Sequence, residues 1–245
     1  MPSFSDLMAA PFYLEFAPPR GGPTQVENLY VFRDNGLLSG RGSGQFATDL
    51  FTLSVTMSSS SDTQCDPHVT LAQPRPGYSR RPAPFCGIIA GMRLLSRPEQ
   101  LPAREQIKAL ADVLRRVRVG DDELPALVAA LDELARDLTF APRPHAFSER
   151  TGRRKIREET GMSQRRLATI RRFRHLLCKF GGQTGPLSDL ALEAGYYDQP
   201  HMSSDCRAFA KLSPGALRGQ ATRQPFGRFL QDQRLKSRLR LVING

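Results

Sequence analysis

Short apolar runs, with polar positions between them, dominate the first hundred residues. Each run is rich in β-branched and aromatic side chains, and clusters of Gly, Pro and Ser separate the runs, as is typical of strands joined by turns. Four of them lie within residues 11–95: FYLEF, QVENLYVF, DLFTLSVTM and CGIIAGMRLL. The pattern therefore predicts a β-rich domain over residues 1–100, built as a sandwich or a small barrel.

Helical periodicity replaces this pattern after Pro98 and Pro102. Apolar residues first share one helix face at Ile107, Leu110, Leu114 and Val117, and a similar stripe runs from Leu124 to Leu138. Such stripes pack against a neighbouring element or a partner subunit. We expect a helical connector over residues 101–123, an all-α domain over residues 124–222 and a basic C-terminal tail over residues 223–245, either disordered or in contact with a partner.

The stretch LALEAGYYDQPHMSSDC, residues 190–206, has the features of a helix-turn-helix. A small residue inside the first helix, Ala191, lets the second helix cross closely, and Gly195 can adopt the left-handed conformation of the turn. Asp198 can then cap the second helix, with Pro200 tolerated in its first turn. The spacing predicts two short helices joined by a tight turn.

The second of these helices is apolar on one side only. Met202, Cys206 and Phe209 form its apolar stripe, while small or basic polar groups occupy the remaining positions. A short helix that is buried on one side and polar on the other suits entry into the DNA major groove. The positions that face away from the stripe or flank it are Pro200, His201, Ser203, Ser204, Arg207 and Lys211.

A faint internal repeat suggests that this unit has an earlier copy. A shift of 50 residues aligns Phe147 with Tyr197, Gly152 with Met202, and Ser163 with Ser213. The segment SERTGRRKIREETG then takes the place of a first recognition helix, and Ser163 caps the long helix that follows. The exposed residues of that first helix would be Arg150, Arg153, Arg154 and Arg157.

Charge singles out the same part of the chain. The net charge is +11, yet residues 1–100 are neutral and residues 141–245 hold 21 basic and 8 acidic side chains, a net charge of +13. A basic region of this kind indicates a polyanionic partner for the C-terminal part. Most of the excess is arginine, whose forked guanidinium suits phosphates and guanine edges.

The segments SERTGRRKIREETGMSQRRLATIRRFRHLL and PLSDLALEAGYYDQPHMSSDCRAFAKLSPGALR resemble the DNA-binding domain of the AraC/XylS family of bacterial transcription regulators. The resemblance implies an α+β chain: a β-rich sensor or dimerisation domain, then an all-α domain with two helix-turn-helix units. It implies base or groove contacts at Arg150, Arg153, Arg154, Gln199, Pro200, His201, Ser203 and Ser204. Arg157, Arg207 and Lys211 are better placed for phosphates, which set affinity and register.

The first unit departs from the family pattern. Pro142 and Pro144 fall where a helix should precede the turn, and an interior proline costs about 3 kcal/mol. His145 stands in the place of the turn glycine, and Gly152 replaces a large core residue. In the second unit Ser204, Met202, Cys206 and Lys211 also depart from the pattern. We therefore expect the two units to contribute unequally to base recognition.

No arrangement of residues in the sequence indicates catalysis. There is no nucleophile–base set, phosphate loop or paired carboxylate, so we expect a protein that is not an enzyme and has no cofactor or bound metal. The four cysteines lack metal-ligand or disulfide-framework spacing. One alternative is a metal or redox sensor in the loop that carries Cys65, Asp66 and His68. No run of residues is long and apolar enough for a membrane span or a secretory signal, so we expect a cytoplasmic protein without a membrane partner.

The sequence thus predicts a sequence-specific regulator that binds double-stranded DNA in the major groove, modulated by a small-molecule effector or by homodimerisation through its N-terminal domain. A second hypothesis is an interaction protein whose eroded first unit leaves only salt-dependent, non-specific DNA binding.

Overall fold

A computed structural model describes residues 11–35, 44–58, 67–80, 85–117, 123–141, 149–181, 185–220 and 232–244. The strands are Phe12–Phe16 (β1), Val26–Asn35 (β2), Gly44–Gln45 (β3), Phe51–Ser58 (β4), His68–Ala72 (β5), Ser79–Arg80 (β6), Cys86–Leu94 (β7) and Leu239–Asn244 (β8). The helices are Arg104–Val117 (α1), Leu124–Asp137 (α2), Glu149–Thr160 (α3), Gln164–Phe180 (α4), Leu187–Glu193 (α5), Gln199–Ala210 (α6), Pro214–Gln220 (α7) and Gln233–Arg238 (α8). Within the described ranges, none of these helices is long and apolar enough to cross a membrane.

The N-terminal strands form one open antiparallel sheet. Its order is β5-β4-β7-β2-β1-β8, and β3 pairs separately with β6. The β-rich prediction is confirmed, but the expected sandwich or barrel is not what forms, because β5 and β8 remain as edges. One face of the sheet is covered by two helices, where a sandwich would have a second sheet. The chain is therefore an α+β protein, as predicted.

The covered face of the sheet packs against α1 and α2. Alternation along each strand turns residues such as Leu14, Leu53 and Met92 toward the helices, where Leu114 and Leu131 complete the core. The apolar stripes predicted for these helices thus bury against the sheet. The boundary predicted at residue 124 is corrected accordingly, because α2 shares its core with the sheet and not with the helices that follow.

The opposite face of the sheet is polar and borders a cavity of about 390 Å³. The alternate residues of the same strands line it, including Tyr13, Tyr30, Ser54 and Arg93. Arg174 and Leu177 of α4 line its far wall, and Leu241 of β8 lines it at the edge of the sheet. The cavity therefore lies between the sheet and the C-terminal helices.

The C-terminal helices have a core of their own. Ile170, Phe173 and Leu176 of α4 are fully buried in it, beside residues of α5, α6 and α7. Ser163 caps α4 as predicted, since its side chain accepts a hydrogen bond from the backbone N–H of Arg166. This single 17-residue helix runs from the first to the second predicted helix-turn-helix unit.

The final residues do not form a basic tail. Residues 233–244 form α8 and then β8, which pairs antiparallel with β1 at the edge of the sheet. Leu239 and Val242 enter the sheet core, and Arg238 binds Asp132 of α2 through two hydrogen bonds of 2.7 Å. The physical reason is the apolar content of LRLVIN, since Leu239, Leu241 and Val242 are all buried within this basic segment.

Buried charge joins the sheet to the helices. The Asp49 side chain has no exposed surface and receives Arg171 Nε and Arg174 Nε, each at 3.1 Å. Arg174 also reaches Glu27 Oε1 at 2.8 Å. Desolvation by itself would lower the pKa of Arg174, but the two neighbouring carboxylates, Asp49 and Glu27, raise it above its ordinary value. Because a buried carboxylate needs its partners, this network fixes α4 on the N-terminal body.

Candidate nucleic-acid interface

The second helix-turn-helix unit has the turn that its sequence predicts. Gly195 adopts the left-handed conformation, with φ of +85°, and Ala191 is fully buried where α5 meets α6. The backbone N–H of Tyr196 donates to the carbonyl oxygen of Ala191 at 2.9 Å, which closes the turn. The small residue and the glycine thus allow the close crossing that the sequence analysis predicted.

The recognition helix of this unit, α6, begins at a cap and ends in a strained residue. Asp198 Oδ1 accepts a hydrogen bond from the backbone N–H of His201 at 2.7 Å, as predicted for an N-cap. Met202 and Phe209 are fully buried. At the C-terminus, Lys211 adopts a left-handed conformation with φ of +61°, a conformation that glycine adopts at less cost.

Cys206 shares this buried stripe and has the properties of a packing residue. Burial raises the pKa of its thiol to about 12, so the reactive thiolate is scarce at neutral pH. The thiol of Cys206 therefore contributes to the core of the second unit.

Most of the polar residues predicted on α6 are exposed. Ser203 is half-buried, and the exposed ones are Gln199, Pro200, His201, Ser204, Arg207 and Lys211. They occupy one side of a helix whose other side is buried. The arrangement leaves these side chains available to a partner in the geometry that major-groove entry needs.

The recognition helix of the first unit, α3, is present but has few buried contacts with the rest of the domain. α3 contains no fully buried residue, and Ile156 packs only partly against the helical core. The four arginines predicted there, Arg150, Arg153, Arg154 and Arg157, are all exposed. Pro142, Pro144 and His145, on which the prediction of erosion rested, lie outside the described residues.

A basic groove separates α3 from the start of α4. It has a volume of about 900 Å³ and is lined by Arg150, Thr151, Arg153, Arg154, Arg157, Ser163, Gln164, Arg165 and Ala168. The structure thus brings the four predicted arginines together on one concave surface. Arg165 was missed by the sequence analysis, although its position two residues after the Ser163 cap places it in the first turn of α4.

A second residue missed by the sequence analysis is Arg172 of α4. Its guanidinium lies over the Tyr196 ring, 4.7 Å from the centroid, and contacts the carbonyl oxygen of Gly195 at 3.4 Å. His201 Nε2 and Asp205 Oδ2 lie 3.3 and 3.7 Å from Arg172 Nη2. One side chain of α4 therefore contacts both the turn and the recognition helix. No signal in the sequence identifies such a contact, because it depends on how the helices cross.

Metal ligands do not cluster in the described parts of the chain. No group of three or more His, Cys, Asp or Glu residues there could hold a metal ion. Of the loop considered as a sensor, His68 is exposed at the start of β5, whereas Cys65 and Asp66 lie outside the described residues. The described site is therefore one of arginines, small polar groups and exposed helix faces.

Comparison with known proteins gives one family match and two structural neighbours. A family described as a helix-turn-helix domain matches residues 145–220, a range that contains α3 to α7. No curated protein is significantly similar to the chain. The chain resembles two structures of ToxT from Vibrio cholerae. An apo lysine-to-alanine variant from strain SCE256 is 8% identical, with a TM-score of 0.41 over 82% of this chain and 99% of that one. A second ToxT structure is 9% identical, with a TM-score of 0.37 over 85% of this chain and 98% of that one.

The match spans both recognition helices, α3 and α6, and the long helix α4 between them. It also contains all eleven side chains predicted to contact DNA, from Arg150 to Lys211. Residues 145–220 of this chain therefore form a helix-turn-helix domain.

Proposed function

We propose that the chain is a sequence-specific, DNA-binding transcription regulator whose two recognition helices enter the major groove. The observation that carries this proposal is the exposure of α3 and α6 at the two ends of α4, each helix with polar or basic side chains turned outward. Arg157, Arg207 and Lys211 bind phosphates and release counterions, whereas the other predicted side chains of α3 and α6 contact base edges.

Selection from a random duplex-DNA pool at two salt concentrations tests this function. We expect an enriched site of two motifs about one helical turn, or 10–10.5 base pairs, apart. A single short motif would assign sequence reading to α6 alone. Binding without enrichment that collapses as the salt concentration rises would favour the second hypothesis, a non-specific polyanion binder.

The residues proposed to contact DNA divide into two classes with different signatures. Arg153→Ala and Arg154→Ala should relax base preference in the first motif if these side chains contact bases, at about 1–3 kcal/mol for each lost contact. Arg207→Ala and Lys211→Ala should weaken all sequences equally and lower the salt slope, as phosphate contacts do. Equal weakening by Arg153→Ala on every sequence would reassign Arg153 to the phosphates.

We also propose that the cavity between the sheet and α4 is the effector site. Arg93 lies on its wall, where Nη1 donates to Thr52 Oγ1 at 2.9 Å and Nη2 reaches the Tyr13 hydroxyl at 3.4 Å. A guanidinium has five N–H donors, and Thr52 and Tyr13 accept from two of its nitrogens. Glu15 on the same wall stabilises the charge of Arg93 but forms no ion pair with it among the described residues. A small molecule with an acidic group would supply a further acceptor.

Thermal shift with a panel of small carboxylic acids, each paired with its neutral amide, tests the effector site. A bound acid should raise the melting temperature, because a ligand that binds only the folded state stabilises it. Thr56→Phe, which places a large side chain on the cavity wall, should abolish the rise. Equal shifts with acids and amides, or a shift that persists in Thr56→Phe, would contradict this site. Homodimerisation remains a separate prediction, to be measured by light scattering.

A further inference from the structure

Arg172 makes four contacts that together define where the recognition helix α6 lies. It contacts the carbonyl oxygen of Gly195 in the turn and the aromatic ring of the next residue, Tyr196. It also touches the first turn of α6 at His201 and the second turn at Asp205. The Arg172 side chain is 28% exposed and the Asp205 side chain 14%, so this ion pair is largely shielded from water, whereas Gly195 and His201 are exposed.

Apolar packing alone leaves the rotation of a short helix weakly fixed. Met202, Cys206 and Phe209 hold α6 against the core, but apolar contact is non-directional. Hydrogen bonds and ion pairs depend on distance and angle, and a planar guanidinium presents its donors in a fixed fork. His201 Nε2 lies within hydrogen-bond distance of Arg172, and Asp205 forms an ion pair with it at 3.7 Å without a hydrogen bond. Contacts to two successive turns of α6 therefore favour one rotation of the helix about its own axis, and with it one direction of Ser203, Ser204 and Arg207.

We propose that Arg172 is a positioning residue for base recognition by the second unit: it contacts no base but holds α6 at the angle that aims its polar face. This inference rests on the proposed function, since it names a residue on which sequence reading by α6 depends. The rings of Tyr196 and His201 pack edge to face, with their centroids 5.3 Å apart. The guanidinium of Arg172 contacts both rings.

The effect of Arg172 belongs to the second unit alone. In the first unit, Arg153 pairs with Glu149 at 2.6 Å and Arg154 pairs with Glu158 at 3.5 Å, both within α3 itself. These pairs stabilise the helix but do not set its angle to α4. Loss of the Arg172 contacts should therefore change readout of the second motif and leave the first unchanged.

Arg172→Gln in the full-length protein tests the inference, with Lys179→Gln as its matched control. Lys179 lies on the same helix and pairs with Glu193 of α5 at 3.0 Å, so its replacement removes an equal charge without touching α6. For each protein, affinity is measured on the selected site, on a site mismatched in the first motif and on a site mismatched in the second. The ratio of affinities is the readout, because a partly unfolded sample lowers all affinities equally and leaves their ratio unchanged.

We expect Arg172→Gln to lower the ratio for the second motif about tenfold, comparable to the loss of one base-pair match. Its ratio for the first motif, and both ratios of Lys179→Gln, should stay at the wild-type value. Arg172→Lys keeps the charge but not the forked guanidinium, so its affinity ratio for the second motif should lie between those of Arg172→Gln and the wild type. It also gives a second measurement if Arg172→Gln does not fold. An unchanged ratio for the second motif in both Arg172 variants would overturn the inference alone. A wild-type protein without preference for any sequence would overturn the proposed function as well.

Discussion

At the scale of single residues, Asp205 lies where burial penalises its charge. Burial raises the pKa of this carboxyl, and the neighbouring Arg172 and His201 offset only part of the effect. A carboxyl with a raised folded-state pKa lowers stability at pH values above that pKa, and the penalty disappears as the pH falls. The charge of Asp205 therefore costs stability at neutral pH while it helps to hold Arg172 in place.

Asp205→Asn should accordingly raise the melting temperature at pH 7 and weaken base discrimination in the second motif at the same pH. The gain in stability should shrink as the pH falls and vanish below about 3.9, the ordinary pKa of an aspartate, because both proteins are then uncharged at this position. Thermal melting at a series of pH values measures it. A gain in stability that does not change with pH would contradict the assignment to charge.

Single residues also show how far the sequence alone could lead. Asp198, Ser163 and Gly195 were predicted in their roles because a cap or a turn depends on the few residues around it. Arg172 and Asp49 were not, because their partners lie 23 to 33 residues from Arg172 and 122 and 125 residues from Asp49. Local chemistry predicted the turn and its cap, whereas the crossing of the helices determines the contacts of Arg172.

At the scale of elements, α3 is the least supported helix of the two units. It has no fully buried residue, and in the described parts of the chain no atom beyond the helix's own backbone lies within 4 Å of where a Cβ of Gly152 would stand. A glycine inside a helix costs about 1 kcal/mol relative to alanine. Gly152 stands where the family pattern has a large core residue, and the described residues leave open space around it.

Gly152→Ala should therefore stabilise α3 by up to about 1 kcal/mol. Gly161→Ala is the matched control, because that glycine follows the same helix but has φ of +70°, where a Cβ is unfavourable. The two identical substitutions should change helicity, measured by circular dichroism and denaturant unfolding, in opposite directions. A loss of stability in Gly152→Ala would show that α3 needs the glycine for a contact with another part of the chain.

The sheet marks a different limit of prediction at this scale. Alternation located β1, β2, β4 and β7 because a half-buried strand has a period of two. Their order in the sheet, and the cover provided by α1 and α2, depend on pairings between distant segments that periodicity does not encode. For the same reason LRLVIN was taken for part of a tail, although its strand pattern is as clear as that of FYLEF.

At the scale of the whole molecule, the helix-turn-helix domain is an insertion in the N-terminal body. α2 precedes it and β8 follows it, and both contribute to the core of the sheet. Arg238 joins the two by binding Asp132 and the carbonyl oxygen of Ala17. The domain is thereby tethered to the sheet at both ends, with Leu241 of β8 on the wall of the cavity.

Disruption of β8, at the C-terminal end of the sequence, should consequently destabilise β1 at the N-terminal end, because the two strands pair. Val242 is fully buried in the sheet core, so Val242→Ala should cost about 2 kcal/mol of unfolding free energy. Lys236→Ala, an exposed change on α8, should cost little. Hydrogen exchange should accelerate in β1, because β8 pairs with residues Phe12–Phe16, while α6 keeps its protection. Unchanged exchange in β1 would mean that β8 is not part of the sheet in solution, and the DNA-binding domain would then be tethered at one end only.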